Sequence, residues 1–157
     1  MITLLDNTVL SNFSTIERPD LVHLVLADTA ATVLEVQYEL ATGFRLGKYP
    51  VCDWSWLRVL QLDKGAQPLY QQLRSRLDAG EAACLALAAT QGYRVFTDDR
   101  DARKIAIQMG IPISGTLGLL VLTIDKEILS LAEADDLLRR MIAAGYRSPI
   151  TTLAEVL

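Results

Sequence analysis

Seven residues, TDDRDAR at 97–103, set Asp98, Asp99 and Asp101 within four positions, directly after the short run Tyr93-Arg94-Val95-Phe96. One short polar side chain suffices to cap a helix, and the positive end of its dipole accommodates a second acid. Three exceed that need. Other carboxylates stand at comparable points. Asp6 closes the apolar run Ile2–Leu5 and opens DNTVLSNF, where Asp6, Asn7 or Thr8 could each serve as a cap, so its role stays open between cap and acid. Glu81 follows Asp78 at capping-box spacing. The residues after it, Ala82 to Ala89, are apolar all round, which predicts a buried helix whose first-turn acid needs a partner. Glu35 and Glu39 are four apart and share a helical face.

Gathered at one edge, such acids repel and raise one another's pKa. Hard oxygen donors with water in the remaining positions suit Mg2+ or Mn2+. Those ions serve displacement at phosphorus, so the residue types point to metal-dependent phosphodiester chemistry. Other chemistries fit poorly. His23 is the lone histidine, which argues against Ser/His/Asp and Cys/His sets. Cys52 and Cys84 lack the spacing of a zinc site, and GTLGLL lacks that of a phosphate loop. A phosphotransferase with an Asp6 nucleophile is disfavoured, because the position two residues on is Thr8. The net charge of −4 argues against a broadly basic nucleic-acid binder but leaves room for a local patch. Arg100, Arg103 and Lys104 flank the acids and could meet RNA phosphates. An ion pair to a neighbouring aspartate explains Arg103 equally well.

The elements that must position these residues alternate. Strands are expected at Ile2–Leu5, Thr29–Val33, Trp56–Leu62, Arg94–Thr97 and Ile111–Ile113, with Trp54 and Trp56 facing one side about Ser55. Helices are expected at Thr8–Ile16, Leu21–Leu26, Leu34–Ala41, Pro68–Leu77, Gly80–Gln91, Asp101–Met109 and Thr116–Thr123, with a C-terminal helical segment at about 132–145. Gly43 to Pro50 reads as a loop. The alternation predicts one α/β domain over residues 1–157, with a mainly parallel sheet covered on both faces. Acids that follow parallel strands then meet at one edge, where such sheets bind ligands. No apolar run reaches the roughly 20 residues of a membrane helix, and MITLLDNT has no basic leader, so a cytoplasmic address is expected.

Several of these segments resemble the motifs of the PIN-domain family. DNTVLSNF resembles the first motif, VQYEL the second and GEAACLALA the third. TDDRDARKIAIQMGIPISGTLGLL is similar to the fourth motif and the stretch after it, as in PIN-like proteins with GEA and DDRxAR motifs related to VapC-type ribonuclease toxins. The resemblance spans Ile2 to about Pro149 and implies a three-layer α/β/α sandwich with Mg2+-dependent activity on single-stranded RNA. It further implies a homodimer held inactive by a cognate antitoxin protein. On that reading Asp6, Glu39 (in preference to Glu35), Glu81 and Asp99 are the catalytic metal ligands. Thr8 orients Asp6, and Asp98 or Asp101 holds a water of the metal. Two departures, Asn7-Thr8 after the first acid and no proline ahead of the second motif's helix, motivate an alternative. That alternative is a nuclease-inactive PIN-like module that binds RNA or a protein.

Overall fold

The computed structural model describes residues 1–157. In chain order the elements are β1 (Thr3–Leu5), α1 (Asn7–Thr15), α2 (Pro19–Leu26), β2 (Ala30–Val33), α3 (Leu34–Arg45), β3 (Arg58–Leu60) and α4 (Gln67–Leu73). They continue with α5 (Ala79–Gln91), β4 (Arg94–Phe96), α6 (Arg100–Gln108), β5 (Ile113–Ser114), α7 (Thr116–Asp125) and α8 (Leu131–Ala143). All five strands are parallel, in the order β3-β2-β1-β4-β5. Every residue of β1 and β2 is buried, as expected of strands covered on both faces. The eight helices complete a three-layer α/β/α sandwich. Helix α5 packs across β1, β2 and β4 with α4 and α6 beside it, and α2, α7 and α8 pack together as the other layer.

Helix α5 explains the long small-residue run. Gly80 to Ala88 are all buried, so alanines let the helix lie close on the sheet beneath α3, α4 and α6. Gly92 ends it in the left-handed region at φ 76°, which a Cβ would disfavour. One apolar cluster of 41 buried residues joins both layers through the sheet. No helix is long and apolar enough to cross a membrane.

The structure departs from the sequence expectations mainly at element ends and at one strand. Trp54-Ser55-Trp56 precedes β3 in a turn and is not strand; Trp54 is buried with its Nε1 donating to Ser14 Oγ, and Trp56 stacks on His23 at 4.3 Å. The aromatic pair imitates strand alternation while serving tertiary packing. Helix α3 runs through Arg45, a turn beyond expectation, because Gly43 lies in it with Tyr49 folded over the missing side chain. A Cβ there would overlap the Tyr49 hydroxyl. Helix α4 stops at Leu73 instead of Leu77, and β5 falls at Ile113–Ser114.

Sheet order fixes where a site can form. The chain runs outward from β1 through β2 to β3, then crosses back through α4 and α5 to β4 on the other side of β1, so the order reverses between β1 and β4. The crevice at the carboxyl end of β1 is the switch point, and Asp6 is the residue that follows that strand.

Candidate active site

Asp6 is 1% exposed. It occupies the position before α1, yet its side chain makes no capping hydrogen bond, which removes the capping role. Its Oδ2 instead accepts from Thr8 Oγ1 at 2.9 Å and from Thr97 Oγ1 at 2.8 Å. Its Oδ1 is buried with no partner at all. Burial is the main cause that raises its pKa to about 6, against the hydrogen bonds from Thr97 and Thr8. An unpartnered buried carboxylate oxygen is costly, and a cation would satisfy it.

Helix α3 brings Glu39 to the same crevice. Its Oε1 accepts from the Gly80 N–H at 2.9 Å, across the α3–α5 contact. A Cβ at Gly80 would overlap this carboxylate, so the glycine makes the seat. Burial, then the charges of Asp78 and Asp6, raises the Glu39 pKa to about 7. Glu35, one turn earlier, has a buried Oε1 without a partner and lines one hollow together with Glu39, Asn7, Tyr38 and Tyr49.

Helix α5 supplies Asp78 and Glu81. They form a reciprocal capping box: Asp78 Oδ1 accepts from the Glu81 N–H at 2.8 Å, and Glu81 Oε2 from the Asp78 N–H at 3.4 Å. Capping and charge crowding coexist here. Burial, then Asp78, Asp6 and Asp99, raises Glu81 to about 9. Thus Asp6, Glu39, Asp78, Glu81 and Asp99, from the ends of β1 and β4 and from α3 and α5, share one electrostatic neighbourhood. Asp78 was legible only as a cap; its charge at this edge needed the fold.

The acids of TDDRDAR divide. Asp99 caps α6, its Oδ2 accepting from the Ala102 N–H at 2.8 Å. Asp98 turns the other way and is held by the Thr116 N–H at 2.8 Å, the Thr116 hydroxyl and Asn12 Nδ2 at 3.1 Å. Asp101 stands exposed on the first turn of α6, outside the set that raises Glu81. Arg103 makes no ion pair, contrary to that reading of it: its Nη1 donates to the Thr97 carbonyl at 3.0 Å. The carbonyl lies at the end of β4, where a helix-borne guanidinium can reach it.

As they stand, no three Asp, Glu, His or Cys side chains converge on one point as a ligand set. Glu39 and Glu81 each commit one carboxylate oxygen to a backbone N–H, which leaves the other oxygen of each for an ion. The oxygen-only donor set, the unpartnered Oδ1 and the mutual repulsion nonetheless fit a hard divalent cation.

Beside the acids runs an open groove in two connected basins, of about 640 and 760 Å³. Thr8, Asp99 and Arg100 border the first, Arg103 and Lys104 the second. Tyr146 and Arg147, which sequence reading left unassigned, border both. Their only sequence signal was an arginine after the glycine that ends α8.

Comparison with known proteins agrees with this architecture. A crystal structure of PAE2754 from Pyrobaculum aerophilum shares the fold at a TM-score of 0.53 and 18% identity, over 78% of this chain and 90% of that one. Among curated protein sequences none matches. The family model DUF3368, described as a PIN domain, matches residues 2–157. With an acid crevice at the switch point of a parallel sheet and a family match over nearly its whole length, the chain belongs to the PIN-domain family, whose members are generally nucleases that use divalent metal ions.

Proposed function

We propose that this protein is a Mg2+- or Mn2+-dependent endoribonuclease that hydrolyses phosphodiesters of single-stranded RNA. The observation that carries the reading is Asp6: a fully buried carboxylate with one orphaned oxygen, whose charge and that of Asp78 raise the pKa of both Glu39 and Glu81. Asp6, Glu39, Glu81 and Asp99 would hold the ion. When bound, it supplies a Lewis acid that stabilises charge on the phosphoryl and leaving oxygens and makes water acidic. The Thr8 and Thr97 hydroxyls fix the Asp6 carboxylate by donating to Oδ2, leaving Oδ1 for the ion. Asp98 positions the β4 end by its bonds to Asn12 and Thr116, and Asp101 would bind only outer water. Arg100, Arg103 and Lys104 would contact RNA phosphates approaching along the groove.

Asp99→Asn and Glu81→Gln should each abolish Mg2+-dependent RNA cleavage, by about 10³-fold or more, with unchanged circular dichroism. Asparagine and glutamine keep the capping geometry, so folding is a fair control. Full activity in both variants, from preparations free of other nucleases, would rule the mechanism out. The resemblance to VapC-type toxins extends the reading to a cytoplasmic homodimer neutralised by an antitoxin. A small neighbouring open reading frame with a DNA-binding signature, whose product suppresses cleavage, would support it.

The engaged state of Glu39 and Glu81 favours a second reading, a nuclease-inactive module that binds RNA or a protein. Calorimetric titration with Mn2+ separates the two. The inactive module takes up no ion, whereas the nuclease binds it in a manner that Asp6→Asn removes.

A further inference from the structure

The C-terminal segment after α8 forms a wall of the groove that neither the acids nor α6 account for. Gly145, at φ 118°, reverses the chain after α8, and the Tyr146 N–H returns to the Met141 carbonyl at 3.0 Å. Ser148 Oγ donates to the Ile150 carbonyl at 2.6 Å and accepts the Ile150 N–H. Downstream, Leu153 is fully buried, and its N–H and the Thr152 hydroxyl both donate to Asp135. The turn is therefore anchored at both ends, which holds Tyr146 and Arg147 facing the groove at little ordering cost.

Across the groove, Arg100 and Lys104 stand exposed on α6, with Arg103 half-buried beneath them. The protein forms only two ion pairs, Arg18–Asp20 and Arg139–Asp136. Arg100, Arg103, Lys104 and Arg147 thus converge on one groove with none of them in an ion pair, outnumbering Asp98 and Asp99, which also line it, in a chain of net charge −4. Such a local concentration of unpaired cations attracts a polyanion. The groove opens at its Thr8–Asp99 end onto the acid crevice, and Tyr146 borders both basins.

We propose that the turn Gly145–Pro149 is the second wall of a single-strand track leading into the acid crevice, in which Arg147 contacts a backbone phosphate opposite Arg100 and Lys104 while Tyr146 offers a base its ring. The proposal deepens the nuclease reading and rests on it for the identity of the polyanion. Cations along a groove with an aromatic face are the parts that single-strand binders combine. The acid wall beside α3 repels phosphate, so the strand's tight contacts lie on the α6 side of the crevice.

The test measures binding of a fluorescent single-stranded RNA octamer by anisotropy across a salt series, with Ca2+ in place of Mg2+ and strand integrity checked on a gel. Arg147→Ala should weaken binding and flatten the log–log salt slope by about 0.7, the share of one phosphate on a single strand. Arg147→Lys should restore the slope. Arg139→Ala, on the exposed face of α8, should alter neither quantity. Tyr146→Ala should weaken binding about 10-fold with the slope retained. An unchanged slope in Arg147→Ala, no binding by the unaltered protein, or equal affinity for duplex would overturn the track. The two readings fail separately. Arg147-dependent binding without cleavage in Mg2+ keeps the track and refutes hydrolysis, while cleavage with an unchanged Arg147→Ala slope does the reverse.

Discussion

Two carboxylates flank Asp6 at the same sheet edge, and their surroundings differ in kind. On the β4 side, Asp98 is enclosed by three donors from Asn12 and Thr116, with Arg103 nearby. On the α3 side, Glu39 has a single backbone donor and feels Asp78 and Asp6, both of its own sign, more than the lone opposing charge of Arg74. The first arrangement is complete in hydrogen-bond donors, although burial still outweighs them and raises the Asp98 pKa. In the second, like charges and burial outweigh Arg74 and keep the Glu39 pKa raised, a balance that a further cation would relieve. An acid's residue type thus says little about its role; the count of donors around it, against the count of like charges, says more.

The largest expected effect comes from removing the satisfied acid. Asp98→Ala leaves the Thr116 N–H and hydroxyl and the Asn12 amide without their acceptor, and should cost about 4 kcal/mol in urea unfolding. Glu39→Gln should move the ion-free protein the other way, since it deletes a repelled charge. If both variants destabilise alike, the contrast between the two sides collapses.

Next comes pH. The folded-state pKa of Asp6 is raised from 3.8 to about 6, that of Glu39 from 4.5 to about 7 and that of Glu81 from 4.5 to about 9. For acids shifted upward, the unfolded chain ionises first. Their contribution to stability is complete below about pH 4 and is lost as pH rises through 6, 7 and 9. Asp6 alone should account for about 3 kcal/mol of that loss. The melting temperature without divalent ions should therefore fall between about pH 4 and 9 from these groups, and Mg2+ should recover it most at the alkaline end. A melting temperature insensitive to Mg2+ at about pH 8 contradicts the cation site.

Two glycines sharpen the comparison further. Gly115→Ala places a Cβ against the Thr97 carbonyl and the Asp98 carboxylate, and should cost about 2 kcal/mol, because backbone cannot yield. Gly80→Ala meets the movable end of Glu39, and alanine is the better helix former by about 1 kcal/mol. It should change stability little while lowering Mn2+ affinity. The smallest effect belongs to Asp101→Asn. That side chain is exposed and contributes only its place on the α6 dipole, so about 0.5 kcal/mol is expected in thermal unfolding.

Much of this was legible beforehand because local rules and tertiary context agreed. Alternation of short apolar runs with periodic segments gave a parallel α/β sandwich, and the all-round apolar run after Glu81 gave a buried α5. Disagreement came where side chains reached beyond their own element. Trp54 and Trp56 have strand-like spacing, but partners on α1 and α2 hold them in a turn. Gly43 reads as a loop signal until Tyr49 is seen folded over it.

The sequence by itself determined which acids follow strands and open helices, since that depends on neighbours a few residues away. It also determined that the chain could form the sandwich, and it raised the expectation, from resemblance, that its carboxylates stand at PIN motif positions. Only the tertiary structure decided which acids are satisfied and which crowd one another. Asp98 finds its donors 86 and 18 residues away, and Glu39 finds its own 41 residues away. The basic groove is likewise a product of the fold, because Arg147 meets α6 only after α8 has carried the chain back. TDDRDAR encodes three acids in four positions, and although the cap at Asp99 is local, the partners that single out a structural Asp98 from it lie on other elements. Local sequence cannot count donors that the fold has yet to deliver.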